Sequence, residues 1–334
     1  MTSKTPKITL IVGTDQGYDT IQRTVGFLLK QTVLDQIELI VSCEQIKNLD
    51  PDYAELEQFG WYQVIESPGS LVSGQFIATA MNAANAPACM FLEEHNFPPP
   101  NTAEVAIKEI VENGRPALGF AMLPSNPGIV AWAHMYGQFG PAVAPLDSGP
   151  IHRFGGHHAA YSTEVMRSYG NKLADMMNNE AVLHEEMRKK GTPLYMTSDA
   201  VIPHAQISDF RTLVWQDYLA QRVYADARMK LLDWSLARRL LYVLGSPLIP
   251  FKRGAAAARH IYRTGRARRL MLPVVPVMFV AHCAGTWGEI LGYMFGVGKD
   301  IKAERFEIEL DRFSFVNESD KKEAQQGNFV RAED

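Results

Sequence analysis

Residues 8–44 read ITLIVGTDQGYDTIQRTVGFLLKQTVLDQIELIVSCE, and this stretch decides the fold class. Residues 8–12 form a short, β-branched run closed by Gly13, the pattern of a strand buried on both faces. Residues 19–31 then place apolar side chains at helical spacing. Residues 37–41 repeat the buried-strand pattern and stop at Ser42-Cys43-Glu44. Strand, helix, strand in that order opens a parallel α/β sheet.

The same alternation continues outward. Residues 62–65 predict a short third strand and 73–85 a helix rich in small residues. The apolar run 88–92 (ACMFL) predicts a fourth strand, leading straight into Glu93-Glu94-His95 and then Pro98-Pro99-Pro100. A helix over 102–112 and a strand over 117–123 follow. The Gly- and Pro-rich stretch 124–156, with Trp132, Tyr136 and Phe139, predicts a long loop, and long loops in compact domains are often functional. Helices over 162–169 and 178–190 and a strand over 194–201 complete the α/β part.

Bulk properties narrow the function. The chain has 334 residues, a net charge of -4 and a hydrophobic fraction of 46%, so it can bury a sizeable core and gives no electrostatic reason to bind nucleic acid. Cys43, Cys89 and Cys283 lack metal-ligand spacing, and so sparse and odd a set argues against a disulfide framework. The first residues lack a signal-peptide pattern, so the expected compartment is the cytosol. Residues 251–269 carry Lys252, Arg253, Arg259, Arg263, Arg266, Arg268 and Arg269 with no acidic residue, and 270–288 carry no Asp, Glu, Lys or Arg. A basic stretch beside an apolar one is what an interfacial membrane anchor needs. Three regions are therefore expected: an α/β domain over 1–230, a helical membrane-associating region over 231–316 and a disordered polar tail over 317–334.

In an open parallel sheet, ligands bind beyond the carboxyl ends of the strands. Thr14, Cys43-Glu44 and Glu93-Glu94-His95 all follow predicted strands. Carboxylates suit Mg²⁺ or Mn²⁺ and imidazole also accepts Mn²⁺, so the last cluster can hold a divalent cation that neutralises a diphosphate. A polar turn after a strand would read the same way.

The ordered series ITLIVGTDQGY, IELIVSCE, MFLEEHNFPPP, FGGHHAAYSTEVMRSYG, NNEAVLHEEMRKKG and LYMTSDAVIPHAQIS resembles the family-2 glycosyltransferases of GT-A fold, over about residues 7–230. The likeness is to the subset with a Glu-Glu/Asp-His cluster in place of Asp-x-Asp. The resemblance implies a Rossmann-like, mostly parallel sheet flanked by helices. It also implies transfer of a sugar from a nucleotide-diphosphate donor to an acceptor hydroxyl with inversion, and the membrane-associating stretch suggests an acceptor in lipid-linked or cell-surface glycan synthesis. By position, Glu180 matches the general base. Thr14, Cys43, Glu44 and Gly74 match the donor side, together with Glu93, Glu94 and His95. His157 and His158 fall on the acceptor side, and Glu94, His95 and His204 match the metal contacts. His184 lies one helical turn after Glu180, a spacing that would place both in one cleft on the acceptor side, while a buried core histidine would read the same way. The implied cofactor is Mn²⁺ or Mg²⁺. The implied partners are a nucleotide sugar, a glycan or lipid-linked acceptor and the cytoplasmic face of the cell membrane, with a homodimer as an option.

The sequence departs from the family pattern in three places. Gln16-Gly17 stands where an Asn-Arg is usual, Cys43 replaces one acid of the second-strand pair, and no position of the cluster is Asp. These departures support a rival reading, a non-catalytic nucleotide- or glycan-binding scaffold of the same fold. A nicotinamide-dependent Rossmann enzyme is disfavoured, because the first strand is followed by GTDQGY and not by G-x-G-x-x-G.

Overall fold

The computed structural model describes residues 5–67, 73–154 and 158–329. One mixed sheet of eight strands organises it: β1 (Ile8–Thr14), β2 (Ile37–Cys43), β3 (Trp61–Glu66), β4 (Ala88–Leu92), β5 (Ala117–Pro124), β6 (Gly149–Ile151), β7 (Ala159–Ser162) and β8 (Leu194–His204), in the order β3-β2-β1-β4-β7-β5-β8-β6. The pairs β1–β2, β1–β4 and β2–β3 are parallel. β7 runs antiparallel to both β4 and β5, and β6 antiparallel to β8, so the sheet is mixed where a mostly parallel one was expected. β1, β2 and β4 are buried at every position, as expected of mostly apolar runs covered on both faces.

The chain divides into two compact units. The first comprises residues 1–121 and 146–202, and the second 122–145 and 203–334. In the first unit, the helix Asp19–Leu28 buries Ile21, Thr24, Val25 and Leu28. The helix Ser73–Ala83 begins with an exceptionally close contact: a Cβ on Gly74 would lie 2.0 Å from the Ala174 carbonyl oxygen. The predicted helix over 102–112 is an α-helix over Thr102–Ala106 that widens into a π-helix over Ile107–Glu112.

The second unit is helical. The stretch 124–156 was expected to be loop, but its residues Ile129–Phe139, in this unit, form a helix that buries Trp132 and Tyr136. Those aromatics pack internally rather than offering a sugar platform: the Tyr136 hydroxyl is 2.6 Å from that of Thr264, and Arg266 stacks over Trp132. Gly and Pro flank this helix and masked its apolar interior in the sequence. The helices Phe210–Leu231, Leu236–Gly245, Ile249–Arg263, Ala267–Phe295 and Lys299–Leu310 follow. The expected disordered tail is helical over Glu318–Gln325, with Glu318 and Asp320 in the first turn, where carboxylates favour a helix. Asn317 anchors its start by donating its backbone N–H to Ser208 Oγ at 2.6 Å.

Candidate active site

The order β3-β2-β1-β4 places a topological switch between β1 and β4, and the crevice beyond their carboxyl ends is where such sheets bind ligands. Register brings the predicted donor residues to that edge. Thr14 lies opposite Cys43, and Cys43 opposite Glu66, while Val12 pairs with Leu92, so Glu93 leaves β4 at the same level. Glu66 is a neighbour that the sequence reading missed: it ends a short strand with no motif to mark it.

Local hydrogen bonds shape the turn after β1. The Thr14 hydroxyl accepts from the Gln16 backbone N–H at 3.0 Å and meets the Thr20 hydroxyl at 2.9 Å. Thr14 thereby helps hold the turn that stands in place of the usual Asn-Arg. Cys43 is buried, and burial followed by the charge of Glu66 raises its thiol to about 11, so it stays neutral. A neutral thiol cannot do what a second carboxylate would at this position. Glu44 is half-buried at the mouth of the edge.

Glu93, Glu94 and His95 are all buried, with His95 fully so. His95 Nε2 stands 3.2 Å from Glu93 Oε2, and its Nδ1 3.0 Å from Glu94 Oε1. Burial alone lowers the imidazole pKa, but Glu94 and Glu93 outweigh it and raise it to about 9. The turn is held from both sides. Thr24 Oγ1 donates to the Glu94 carbonyl at 2.7 Å. The Gln31 side-chain amide donates to the Pro99 carbonyl at 2.9 Å and accepts from the Ala103 N–H at 2.9 Å. Such bracing preorganises charge before any ligand arrives.

The donor set fits a divalent cation, with one change from the expectation. A carboxylate on one nitrogen of a ligating histidine fixes the tautomer and turns the other nitrogen toward the metal. Here both ring nitrogens carry a carboxylate, Glu94 on Nδ1 and Glu93 on Nε2, so the change is that a cation would have to take the place of the proton on one nitrogen before the ring could ligate it. His204, the third expected metal contact, ends β8 in the second unit. It is fully buried there, with the Gln206 amide on its Nδ1 and the Phe139 ring 5.2 Å away.

Glu180 opens the helix Glu180–Lys189 and is half-buried. Asn178, two residues earlier, accepts the Gly74 N–H at 2.8 Å, which ties the segment bearing Glu180 to the start of the helix Ser73–Ala83. This close helix contact requires a glycine at position 74. Tyr161 on β7 lies close enough to Glu180 for that charge to add to burial in raising the phenol well above its ordinary value.

His184 does not face an acceptor. It is 1% exposed, its Nε2 is 3.0 Å from the Tyr161 hydroxyl, and its ring is 4.3 Å from Phe154. Phe154 in turn sits on Gly119, where a Cβ would come within 2.6 Å of the ring. Burial, then Arg153 and Arg188, lower the His184 pKa to about 3, so it is a neutral core residue. One turn separates it from Glu180, but its side chain points into the core. His158 is likewise buried, just before β7, and His157 lies outside the described residues.

No protein-family model matches the chain, and no curated protein matches it. Among solved structures it is similar to the mannosyltransferase PcManGT from Pyrobaculum calidifontis, solved in complex with GDP-Man and Mn²⁺. The TM-score is 0.52 and the identity 14%, covering 91% of this chain and 87% of that one. It also matches S. aureus TarS over residues 1–349, with TM-score 0.44, 13% identity, and 87% and 92% of the two chains covered. At 14% identity the likeness to the mannosyltransferase is one of fold: an α/β sheet flanked by helices, of the GT-A glycosyltransferase type, followed by a helical C-terminal region.

Proposed function

We propose that this protein is a glycosyltransferase that moves a sugar from a nucleotide-diphosphate donor to an acceptor hydroxyl, with inversion. The observation that carries the reading is the braced Glu93-Glu94-His95 turn at the switch point of a glycosyltransferase-type sheet. Thr14 and Glu44 receive the nucleoside at the ends of β1 and β2. Glu93 and His95 take the diphosphate with Mn²⁺ or Mg²⁺, and Glu94 holds the His95 ring in place. A bound divalent cation would neutralise the diphosphate and ease its departure.

Glu180 is the base. Its carboxylate takes the proton of the acceptor hydroxyl as that oxygen bonds to the anomeric carbon. The bond from the anomeric carbon to the diphosphate oxygen breaks with its electron pair leaving on the diphosphate. Attack opposite the leaving group inverts the centre. Tyr161 on β7 lies near Glu180 and holds the neutral His184 of the same helix in the core. The acceptor belongs to lipid-linked or cell-surface glycan synthesis in this reading.

Replacing Glu180 by Gln tests it. The variant should lose transfer from the donor by a factor of about 10² to 10⁴ while keeping nucleotide-dependent thermal stabilisation. A Glu180→Gln protein with unchanged turnover removes Glu180 as base. The scaffold reading predicts no turnover in the unaltered protein with any donor that stabilises it.

A further inference from the structure

The second unit carries an apolar face that its own helices leave uncovered. The helix Ala267–Phe295 is long and apolar enough to cross a bilayer. One of its sides is nonetheless taken by the helix Phe210–Leu231. A Cβ on Gly285 would lie 2.5 Å from Asp217 Oδ2, on Gly288 2.2 Å from the Tyr218 carbonyl oxygen, and on Gly292 2.6 Å from the Arg222 carbonyl oxygen. Polar pairs cross the same side: His282 Nδ1 is 3.4 Å from Asp217 Oδ2, and Arg253 is 2.9 Å from Glu289. The covering helix also bears Arg211, Gln221, Arg222, Asp226 and Lys230. Charged residues at bilayer depth are costly, and this helix could not follow its partner across a membrane.

The other side of Ala267–Phe295 faces out. Leu272 is 86% exposed, Val280 46% and Trp287 57%, with Cys283 exposed between them, at spacings that share one face. The helix Leu236–Gly245 has no buried residue at all, and Leu236, Leu240 and Leu244 stand out from it one turn apart. Phe251, 5.2 Å from Phe279, joins the two apolar surfaces. Charge selects what covers them. Residues 231–298 hold nine Lys and Arg against two acidic residues, and one of those, Glu289, is buried against Arg253. Lys252, Arg259, Arg268 and Arg269 are exposed. Apolar side chains rimmed by cations match an anionic lipid surface.

We propose that this face seats the protein monotopically on an anionic bilayer: Leu236, Leu240, Leu244, Leu272, Val280 and Trp287 enter one leaflet and the helix Ala267–Phe295 lies along it without crossing. The inference does not rest on the transferase reading.

The test uses the purified full chain with vesicles of phosphatidylcholine, alone or with phosphatidylglycerol. Binding should rise by at least about tenfold with phosphatidylglycerol. The double variant Leu240→Glu/Leu244→Glu should lose binding while keeping the thermal unfolding of the parent. A membrane-impermeant maleimide should label Cys283 in solution and fail to do so on anionic vesicles, Cys43 and Cys89 being buried. In a Cys283→Ala background, Ser319→Cys should stay reactive in sealed inside-out vesicles from expressing cells. Loss of that reactivity would mean that the helix crosses, and the proposal fails. It also fails if no vesicle binds, or if the Leu240→Glu/Leu244→Glu change splits a dimer in the absence of lipid, since a second copy would then cover the face.

Discussion

At the amino end of β2, Glu38 is buried and saturated. It accepts from Thr9 Oγ1 at 2.6 Å, from the backbone and side-chain nitrogens of Asn85 at 2.7 and 2.6 Å, and from Gln63 Nε2 at 2.7 Å. At the carboxyl end of β4, Glu93 and Glu94 are as deeply buried, yet they crowd two negative charges around one imidazole. In sequence, Glu38 sits inside the run that forms β2, while Glu93 and Glu94 follow the run that forms β4. The structure separates them by their partners. Four neutral donors aimed at one carboxylate knit β1, β2, β3 and the start of β4 together. Two carboxylates share one histidine at a switch point, where the proposed reading places a cation and a diphosphate. Buried charge is structural at one end of the sheet and, in the proposed reading, chemical at the other.

That contrast can be broken by substitution. The largest effect falls on rate: Glu180→Gln should cost about three orders of magnitude in turnover with unfolding in urea unchanged, read by donor-dependent transfer. Next comes Glu38→Gln, which turns an amide N–H₂ toward groups that donate. It should destabilise the fold by about 3 kcal/mol in urea unfolding, with donor affinity unchanged wherever the protein remains folded. If Glu38→Gln were neutral for stability, the amino-end network would not be the knot described. Glu94→Gln should weaken Mn²⁺ binding about 10- to 100-fold, as loss of an orienting carboxylate does, and Glu93→Gln should weaken it further; titration calorimetry ranks the pair. Equal effects would put both carboxylates on the metal.

The smallest effect concerns the core histidine. His184 has an ordinary pKa near 6.5 when unfolded and about 3 when folded. Between those values the unfolded chain binds a proton that the folded one refuses, so stability falls as pH drops below 6.5. The loss is up to about 1.4 kcal/mol per pH unit. His184→Asn should therefore flatten the stability profile of the parent between pH 6.5 and 5, by about 1 to 2 kcal/mol at pH 5. An unaltered profile would place His184 in contact with solvent.

Much of the α/β core was legible because β1, β2 and β4 are short, mostly apolar runs, and residues 88–92 were bounded to the residue. β7 was not, because Ala159-Ala160-Tyr161-Ser162 is too short and too poor in branched residues to announce a strand. Its antiparallel insertion between β4 and β5 depends on contacts far apart in sequence. The helix Ile129–Phe139 was hidden by Gly128, Gly137 and Gly140. In the site, the residue types and their place after the strands were legible. Which carboxylate sits on which ring nitrogen was not, since Glu93 and Glu94 differ only in their direction from the backbone. His184 misled for a related reason: helical spacing puts it one turn from Glu180, but Phe154 and Tyr161 draw the ring inward.

The central claim is that the carboxyl-end cluster binds a nucleotide-sugar diphosphate through a divalent cation. Thermal unfolding of the purified protein with a panel of nucleotide diphosphates and nucleotide sugars, each with Mn²⁺ and then with EDTA, tests it most directly. Stabilisation by one nucleotide class, near 2.7 kcal/mol at about a hundredfold excess over its dissociation constant, abolished by EDTA and by Glu93→Gln, is the predicted result. Stabilisation that survives EDTA would make His95 a direct phosphate contact and remove the metal. A well-folded sample that no nucleotide stabilises would contradict the account and leave the scaffold reading in its place.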